Sequence, residues 1–239
     1  MMRDDLSNDE RLLMAEQIEY YRARAPEYDE WFYRRGLYDR GPALNTAWQR
    51  EITQVQDALD ELVPTGKVLE LACGTGLWSE RLVRTASELT CVDASSEMIA
   101  LNRRRVCRPD VRYVTADIFG WQPPERYDFL FFGFWLSHVP ENLFQPFWSI
   151  VKRCVSPGGR VFFVDSCFHP AARGSHEVTD ARTASRSRRR ISDGREFDVV
   201  KVFYLPQELQ RRVSKLGWRG RIRATEQFFL YGSLELADS

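Results

Sequence analysis

Residues 69–78 read LELACGTGLW, an apolar run that two glycines interrupt around one threonine. Glycine is common where a backbone turns tightly or where a ligand must approach it closely. The apolar residues before the glycines are typical of a buried strand, and a helix is predicted from Leu77 to about Thr85. Ligands bind at such strand-to-helix corners in doubly wound α/β sheets, so this stretch predicts a ligand site.

The glycine spacing does not match the common phosphate-binding motifs. A P-loop needs G-x-x-x-x-G-K-[ST], and this stretch has no lysine. The dinucleotide fingerprint G-x-G-x-x-G/A fits Gly74 and Gly76, but Ser79 stands at its third position. Because any tight turn can contain G-x-G, the motif alone does not identify the ligand, and the surrounding residues are needed to predict it.

Short apolar runs alternate with helical segments from residue 67 to residue 165. The predicted strands are 67–71, 88–93, 111–116, 127–133 and 158–165, with one or two more in RIRATEQFFLYGSLE near the C-terminus. Strands separated by helices predict a doubly wound, Rossmann-like α/β fold whose seven-stranded sheet is mainly parallel.

Two further segments accompany this pattern. Residues 1–66 are predicted to be helical, with Pro42 at the start of their second long helix. After the fifth strand, an insert at about 167–204 contains an Asp193-Gly194 turn typical of a β-hairpin. We therefore divide the chain into an N-terminal helical lid, residues 1–66, and a ligand-binding domain, residues 67–239.

The composition argues against several classes of protein. The chain has 239 residues, 44% of them apolar, and 34 acidic residues balance 34 basic ones. Zero net charge argues against a broad electrostatic grip on nucleic acid or on an anionic membrane. The longest strongly apolar stretch, Phe129–Leu136, is too short to cross a bilayer, and the charged N-terminus does not resemble a secretion signal. Five cysteines without a C-x-x-C pair predict free thiols in the cytoplasm and no metal cluster.

Three acidic residues lie at the first three predicted strands. Glu70 is inside the first strand, Asp93 ends the second, and Asp117 follows the third. A buried carboxylate is costly unless it is paired, so Glu70 is expected to meet a ligand or a water. Asp93 can accept hydrogen bonds from both hydroxyls of a ribose, as acids do at this place in nucleotide sites. Asp117 suits an adenine amino group.

Taken together, these motifs resemble those of the class I S-adenosylmethionine-dependent methyltransferases. VLELACGTG is similar to the family's first motif, CVDASSEMI to its second-strand motif and VTADIF to its third. DFLFFGFWLSHVP stands where the fourth motif lies, and SPGGRVFFVD resembles the turn into strand five. The resemblance covers about residues 67–165, and it implies S-adenosylmethionine as cofactor with S-adenosylhomocysteine as product.

The resemblance also implies roles for the matching residues. Gly74 and Gly76 would let the backbone approach the methionine part of the cofactor, and Glu70 would hold its ammonium directly or through water. Asp93 would bind the ribose hydroxyls, and Asp117 the adenine amino group. The rest of the expected cofactor site is Ala72, Cys73, Thr75, Ala94, Met98, Ala116, Ile118, Gly133 and Phe134. For Cys73, Met98, Ile118 and Phe134, packing in the core is the alternative.

The N-terminal segment EYYRARAPEYDEWFYRRG is similar to an element that folds over the cofactor in many small-molecule members of the family. Tyr21 and Tyr28 would then close the site, or else they dock the helix on the sheet. Tyr20, Arg24 and Trp135 are the predicted contacts with the acceptor. The arginines of this segment and of the insert favour an anionic substrate, unless they form a solvated charged face.

Methyl transfer from a sulfonium depends mainly on alignment and on the exclusion of water. His138, with Ser137 beside it, is the candidate base or substrate-orienting residue; the alternative is a histidine that holds its loop by hydrogen bonds. The aromatic run FLFFGFW predicts a small, partly apolar acceptor. We expect metal-independent methylation of a hydroxyl or carboxylate oxygen, with nitrogen as the second choice.

Three other functions stay open at this point. An RNA methyltransferase is favoured only by the arginine-rich insert and opposed by the zero net charge. A non-catalytic S-adenosylmethionine-binding protein would need the same cofactor site. An NAD-dependent oxidoreductase is opposed by Ser79 and Asp117. We expect a monomer or a homodimer.

Overall fold

The structure, a computed structural model, describes residues 7–169 and 185–237. Its helices are α1 (Asn8–Arg24), α2 (Tyr28–Tyr33), α3 (Pro42–Asp60), α4 (Ser79–Leu82), α5 (Ser96–Val106), α6 (Phe144–Cys154) and α7 (Pro206–Lys215). Its strands are β1 (Lys67–Leu71), β2 (Glu88–Asp93), β3 (Arg112–Thr115), β4 (Tyr127–Gly133), β5 (Val155–Ser166), β6 (Arg186–Arg190), β7 (Glu196–Val200), β8 (Trp218–Ala224) and β9 (Phe229–Leu236). The middle of the predicted insert, residues 170–184, lies outside the described residues.

Seven strands form one sheet in the order β3-β2-β1-β4-β5-β9-β8. Strands β1 to β5 pair in parallel, and β9 and β8 add antiparallel pairs at one edge. This arrangement confirms the predicted Rossmann-like α/β fold. The chain order reverses between β1 and β4, and in such sheets a ligand crevice opens at that point, outside the carboxyl ends of the strands.

Strand β4 shows how the sequence buries both faces of the sheet. Phe129 and Phe131 pack into one hydrophobic layer, together with Trp48 of α3. Leu130 and Phe132 pack into the layer on the opposite side. Because both faces are covered, residues 129–132 form a continuous apolar run without the polar positions of a strand that has one face in water, and the exposed Asp128 stands only at its start.

Helix α4 is shorter than predicted. We expected a helix from Leu77 to about Thr85, but the α-helix covers only Ser79–Leu82, with turns on either side. The chain is still turning at Gly76, whose φ is 89°. After the helix, the amides of Arg84 and Thr85 bond to carbonyls three residues back rather than four, which tightens the segment and ends it.

Strands β6 and β7 form a separate antiparallel hairpin, and α1 packs against it. Tyr20 of α1 lies in one cluster with Ile191 and Val199 of the hairpin. The Gln17 side chain accepts a hydrogen bond from the Val200 amide at 3.0 Å and donates one to the His138 carbonyl at 3.2 Å. Helix α1 and the hairpin therefore form one wall beside the carboxyl end of β4.

Helix α3 packs directly on the sheet. Its apolar face, which includes Trp48, Ile52 and Val55, packs into the sheet's hydrophobic layer. The buried Glu51 accepts hydrogen bonds from the Thr225 hydroxyl and, at 2.9 Å, from the Phe228 amide. Helix α3 is thus tied to the turn between β8 and β9, and the division into lid and domain stays a prediction.

We predict that Glu51→Ala lowers the free energy of unfolding by about 2–4 kcal/mol, because it leaves buried donors without an acceptor. The neighbouring Arg50 is exposed and pairs with Glu226 on the surface, so Arg50→Ala is the matched control, with an expected cost of about 1 kcal/mol or less. Chemical denaturation measures both. Equal costs for the two variants would contradict the structural role of Glu51.

Candidate functional site

The turn after β1 brings backbone, rather than side chains, to the crevice. Ala72 and Gly74 both have positive φ, at 52°. A Cβ added to Gly74 would have no heavy atom within 4 Å, so this glycine faces open space. Phe134, directly after β4, also lies in the left-handed region with φ at 55°. Non-glycine residues rarely adopt this conformation, and here two of them follow neighbouring strands at one site.

The other residues of the glycine turn have packing partners. A Cβ on Gly76 would lie 2.8 Å from the Asn102 side chain, so this glycine allows α5 to approach the turn. The Thr75 hydroxyl donates to Asp29 of α2 at 2.6 Å. Cys73 is buried in the same hydrophobic layer as Trp48, although it and Thr75 also line a smaller cavity beside the turn. Of the two glycines, only Gly74 therefore lines the crevice.

A main pocket of about 730 Å³ opens at the carboxyl ends of β1, β2 and β4. Most of the residues predicted for the cofactor converge on it. Those that line it are Tyr21, Tyr28, Ala72, Gly74, Asp93, Ala94, Met98, Asp117, Ile118, Gly133 and Phe134, together with the acceptor and catalytic candidates Trp135 and His138. Ala116 packs against the core instead and does not line the pocket.

Asp93 is positioned by backbone amides. Its two carboxylate oxygens accept hydrogen bonds from the amides of Gly74 and Ser95, each at 2.9 Å. Burial raises the pKa of Asp93, and the backbone hydrogen bonds oppose that rise. Each oxygen keeps a second lone pair, so the carboxylate can accept two further hydrogen bonds from a ligand in the pocket.

A side cavity of about 290 Å³ adjoins the main pocket and contains Glu70 and Trp78 in its wall. Burial raises the pKa of Glu70 to about 8, although hydrogen bonds from Ser79 and Cys91 partly oppose the shift. Glu70 is therefore mostly protonated at neutral pH in the free protein. The indole N–H of Trp78 is buried and has no hydrogen-bond partner among the described residues. One cavity thus offers a carboxyl group and an unused donor.

A third space, the cationic cavity of about 540 Å³, shares Tyr21, Tyr28, Phe134 and His138 with the main pocket. The predicted acceptor residues Tyr20 and Arg24 line it, together with Arg189 of β6 and Lys201, which follows β7. Ser137 lies just outside this cavity. Its hydroxyl accepts a hydrogen bond from Lys201 at 2.8 Å, and its amide donates one to Asp165 at the same distance.

His138 is held at both ring nitrogens. Nδ1 lies 2.7 Å from the Val200 carbonyl, and Nε2 lies 2.7 Å from the Tyr21 hydroxyl. A carbonyl can only accept, so Nδ1 carries the proton and Nε2 accepts from Tyr21. Burial, with Lys201 and Arg189 adding repulsion, lowers the pKa of His138 well below its usual value. This geometry favours the orienting and loop-holding interpretations of His138 over that of a base.

Several site residues escaped the sequence analysis. Met14, Gln17 and Ile18 of α1 and Ser95 at the start of α5 line the main pocket, and Arg189 and Lys201 line the cationic cavity. Ser95 carries a local signal, because it caps α5 by accepting from the Met98 amide. The other residues carry no such signal, because nothing in the sequence shows which face of α1 or of the hairpin packs towards the sheet.

Comparison with known proteins supports the resemblance to methyltransferases that the sequence motifs show. Residues 68–159 match the family model described as a methyltransferase domain. The ubiquinone biosynthesis O-methyltransferase of Proteus mirabilis (strain HI4320) is 33% identical over 119 residues, or 47% of this chain and 46% of that protein. The same enzyme from Stutzerimonas stutzeri (strain A1501) is 29% identical over 104 residues, with 41% and 43% covered. The chain thus matches less than half the length of these curated relatives.

Two solved structures of a protein named DhpI cover almost the whole chain. Its complex with S-adenosylhomocysteine is 35% identical, with a TM-score of 0.74, and the match covers 95% of this chain and 98% of DhpI. The complex described as DhpI-SAM-HEP is 37% identical, with a TM-score of 0.76 and coverage of 93% and 97%. The chain belongs to the class I S-adenosylmethionine-dependent methyltransferases. The cofactor of this family is S-adenosylmethionine.

The residues of this methyltransferase fit that cofactor. The side cavity pairs Glu70 with the unused indole donor of Trp78, which suits the ammonium and the carboxylate of an amino-acid tail. Asp93 lines the main pocket, and its carboxylate can accept further hydrogen bonds from ribose hydroxyls. No helix among residues 7–169 and 185–237 has the length and apolar character needed to span a membrane.

We predict that the His138 imidazole stays neutral, as the Nδ1–H tautomer, through the pH range in which an exposed histidine takes up a proton. The cause is its burial beside two cations and the hydrogen bond that Tyr21 donates to Nε2. Nitrogen-15 NMR of the imidazole measures this, with His138→Gln identifying the signal. A titration midpoint between pH 6 and pH 7 would contradict the assignment and restore His138 as a candidate base.

Proposed function

We propose that this protein transfers the methyl group of S-adenosylmethionine to an oxygen of a small-molecule acceptor, without a metal. The observation that carries the proposal is that the three spaces adjoin one another around Tyr28 and Phe134, which line all of them. A cofactor whose tail, ribose and adenine occupy the side cavity and the main pocket would present its reactive end to the cationic cavity. The O-methyltransferase names of the two curated relatives support oxygen as the acceptor atom.

The proposed roles of the side chains follow from these contacts. Glu70 holds the ammonium of the cofactor, with Trp78 donating to its carboxylate. Asp93 accepts from the ribose hydroxyls, and Asp117 accepts from the adenine amino group, with Met98 and Ile118 on the adenine faces. When bound, the cofactor supplies a methyl group already activated by its sulfonium. The chain's own task is to align the acceptor and to exclude water.

The shape of the acceptor space favours a small molecule over RNA. The cationic cavity lies between α1, the hairpin and the end of β4, and its lining side chains Tyr20, Arg24 and Lys201 are buried. A polynucleotide would need an open, positively charged surface instead. A cytoplasmic location and a monomeric or homodimeric state stay predictions.

We predict that Asp93→Asn weakens binding of S-adenosylhomocysteine at least tenfold, because it removes the negative charge and one of the two acceptor oxygens. Isothermal titration calorimetry measures the affinity. The control is Asp110→Asn, since Asp110 is exposed and pairs with Arg108 on the surface. An affinity within twofold of wild type in Asp93→Asn would remove Asp93 from the ribose role. Absence of any binding by the folded wild-type protein would overturn the proposed function.

We also predict that binding of S-adenosylhomocysteine at pH 7 releases close to one proton. Glu70, with a pKa raised to about 8, carries a proton in the free protein, and a bound ammonium lowers that pKa. Titrations in Tris and in HEPES should then give enthalpies that differ by the difference between the two buffers' ionisation enthalpies. Glu70→Gln should abolish the difference. Equal enthalpies for the wild type in both buffers would count against the contact between Glu70 and the ammonium.

A further inference from the structure

The cationic cavity concentrates positive charge in a protein whose net charge is zero. Arg24, Arg189 and Lys201 all line it, and each residue is at most 7% exposed. None of the described lining residues is acidic. Three buried cations on one small space are a costly arrangement unless an anion joins them, because burial removes the water that would otherwise solvate them.

Among the described residues, the contacts of Lys201 and Arg24 include one acidic side chain. The acid nearest to Lys201 in the structure is Asp165, at 3.9 Å, and its oxygens already accept from the amides of Ser137 and Ser166 at 2.8 and 2.7 Å. Arg24 donates to the neutral Tyr38 hydroxyl at 2.8 Å and lies 5.1 Å from the centre of the Tyr28 ring. Asp165 supplies one negative charge beside Lys201, whereas the hydroxyl partner of Arg24 is neutral, so these two cations together carry more positive charge than Asp165 balances.

We propose that the acceptor binds in the cationic cavity as an oxyanion, either a carboxylate or a phosphate group, and that one of its own ionised oxygens takes the methyl group without a protein base. This inference rests on the proposed function and names its substrate class. The recognition chemistry is the same for both groups: guanidinium and ammonium donors around a compact anion.

The state of His138 supports a transfer without a base. Its Nδ1–H donates to Val200, and the Nε2 lone pair accepts from the Tyr21 hydroxyl, so neither nitrogen is available to remove a proton. An ionised acceptor has no proton to remove. Its oxygen forms the new O–C bond as the methyl–sulfur bond breaks, and the electron pair of that bond stays on sulfur. The acceptor loses one negative charge and the sulfonium its positive charge, so the step balances.

The first test is anion binding to protein saturated with S-adenosylhomocysteine, measured by calorimetry with benzoate and with inorganic phosphate. We expect at least one of them to bind with a Kd of a few millimolar or tighter, and the neutral probe benzyl alcohol not to bind. Lys201→Met and Arg189→Met should each weaken anion binding at least tenfold, and Lys201→Arg should restore most of it. The matched control is Arg190→Met, because Arg190 is exposed on the neighbouring position of β6.

The outcomes separate this inference from the proposed function. Wild-type protein that binds S-adenosylhomocysteine but neither anion, or Met variants that bind the anion as the wild type does, would overturn the inference and leave the proposed function standing. No binding of S-adenosylhomocysteine would overturn the proposed function first. Unchanged affinity for S-adenosylhomocysteine in the variants shows that they are folded.

The second test identifies the methylated atom, using S-adenosylmethionine labelled in its methyl group and the anion that binds. A carboxyl methyl ester releases labelled methanol in alkali, whereas a methyl phosphate monoester keeps its label, so the product distinguishes the two acceptor groups. With benzoate, which is already fully ionised at pH 6, the rate should not rise between pH 6 and pH 7.5. A rate that rises tenfold per pH unit over that range, or no labelled product with the bound anion, would overturn transfer to an ionised oxygen.

Discussion

The hydrogen bonds of His138 join parts of the chain that are far apart in sequence. Its ring connects Val200 of the hairpin with Tyr21 of α1, and its own carbonyl accepts from Gln17. Each neutral hydrogen bond contributes only about 1 kcal/mol net. Together, however, they place α1 and the hairpin over the end of β4, and without that placement neither the main pocket nor the cationic cavity would have its outer wall.

The sequence predicted the parts of the site that depend on parallel strands. Glu70, Asp93 and Asp117 belong to three neighbouring strands, and the carboxyl ends of such strands meet at one edge of the sheet. Their convergence could therefore be read from spacing alone. The resemblance also places Gly76 next to the cofactor, whereas in the structure its lack of a side chain makes room for Asn102 of α5. A glycine pattern indicates that some group approaches the backbone closely, but it does not show whether that group is a ligand or a side chain of the protein.

The outer wall could not be predicted in the same way. In β6, residues alternate between exposed and buried, so that Ser187 and Arg189 face inward while Arg188 faces solvent. The segment RSRRR has arginines on both faces, so its pattern cannot show which of them the fold buries. The answer depends on long-range packing with α1. The net charge of the chain does not predict the cationic cavity either, because a sum over all residues conceals a local excess of positive charge.

The sharing of Phe134 and Tyr28 among all three spaces limits how this protein can diverge. A change at either position alters the main pocket, the side cavity and the cationic cavity at once. Arg189 and Lys201, by contrast, belong to a hairpin outside the seven-stranded sheet, and they line the cationic cavity but not the main pocket. Under the proposed function, a substitution in the hairpin would therefore change the acceptor space while the lining of the main pocket stays the same.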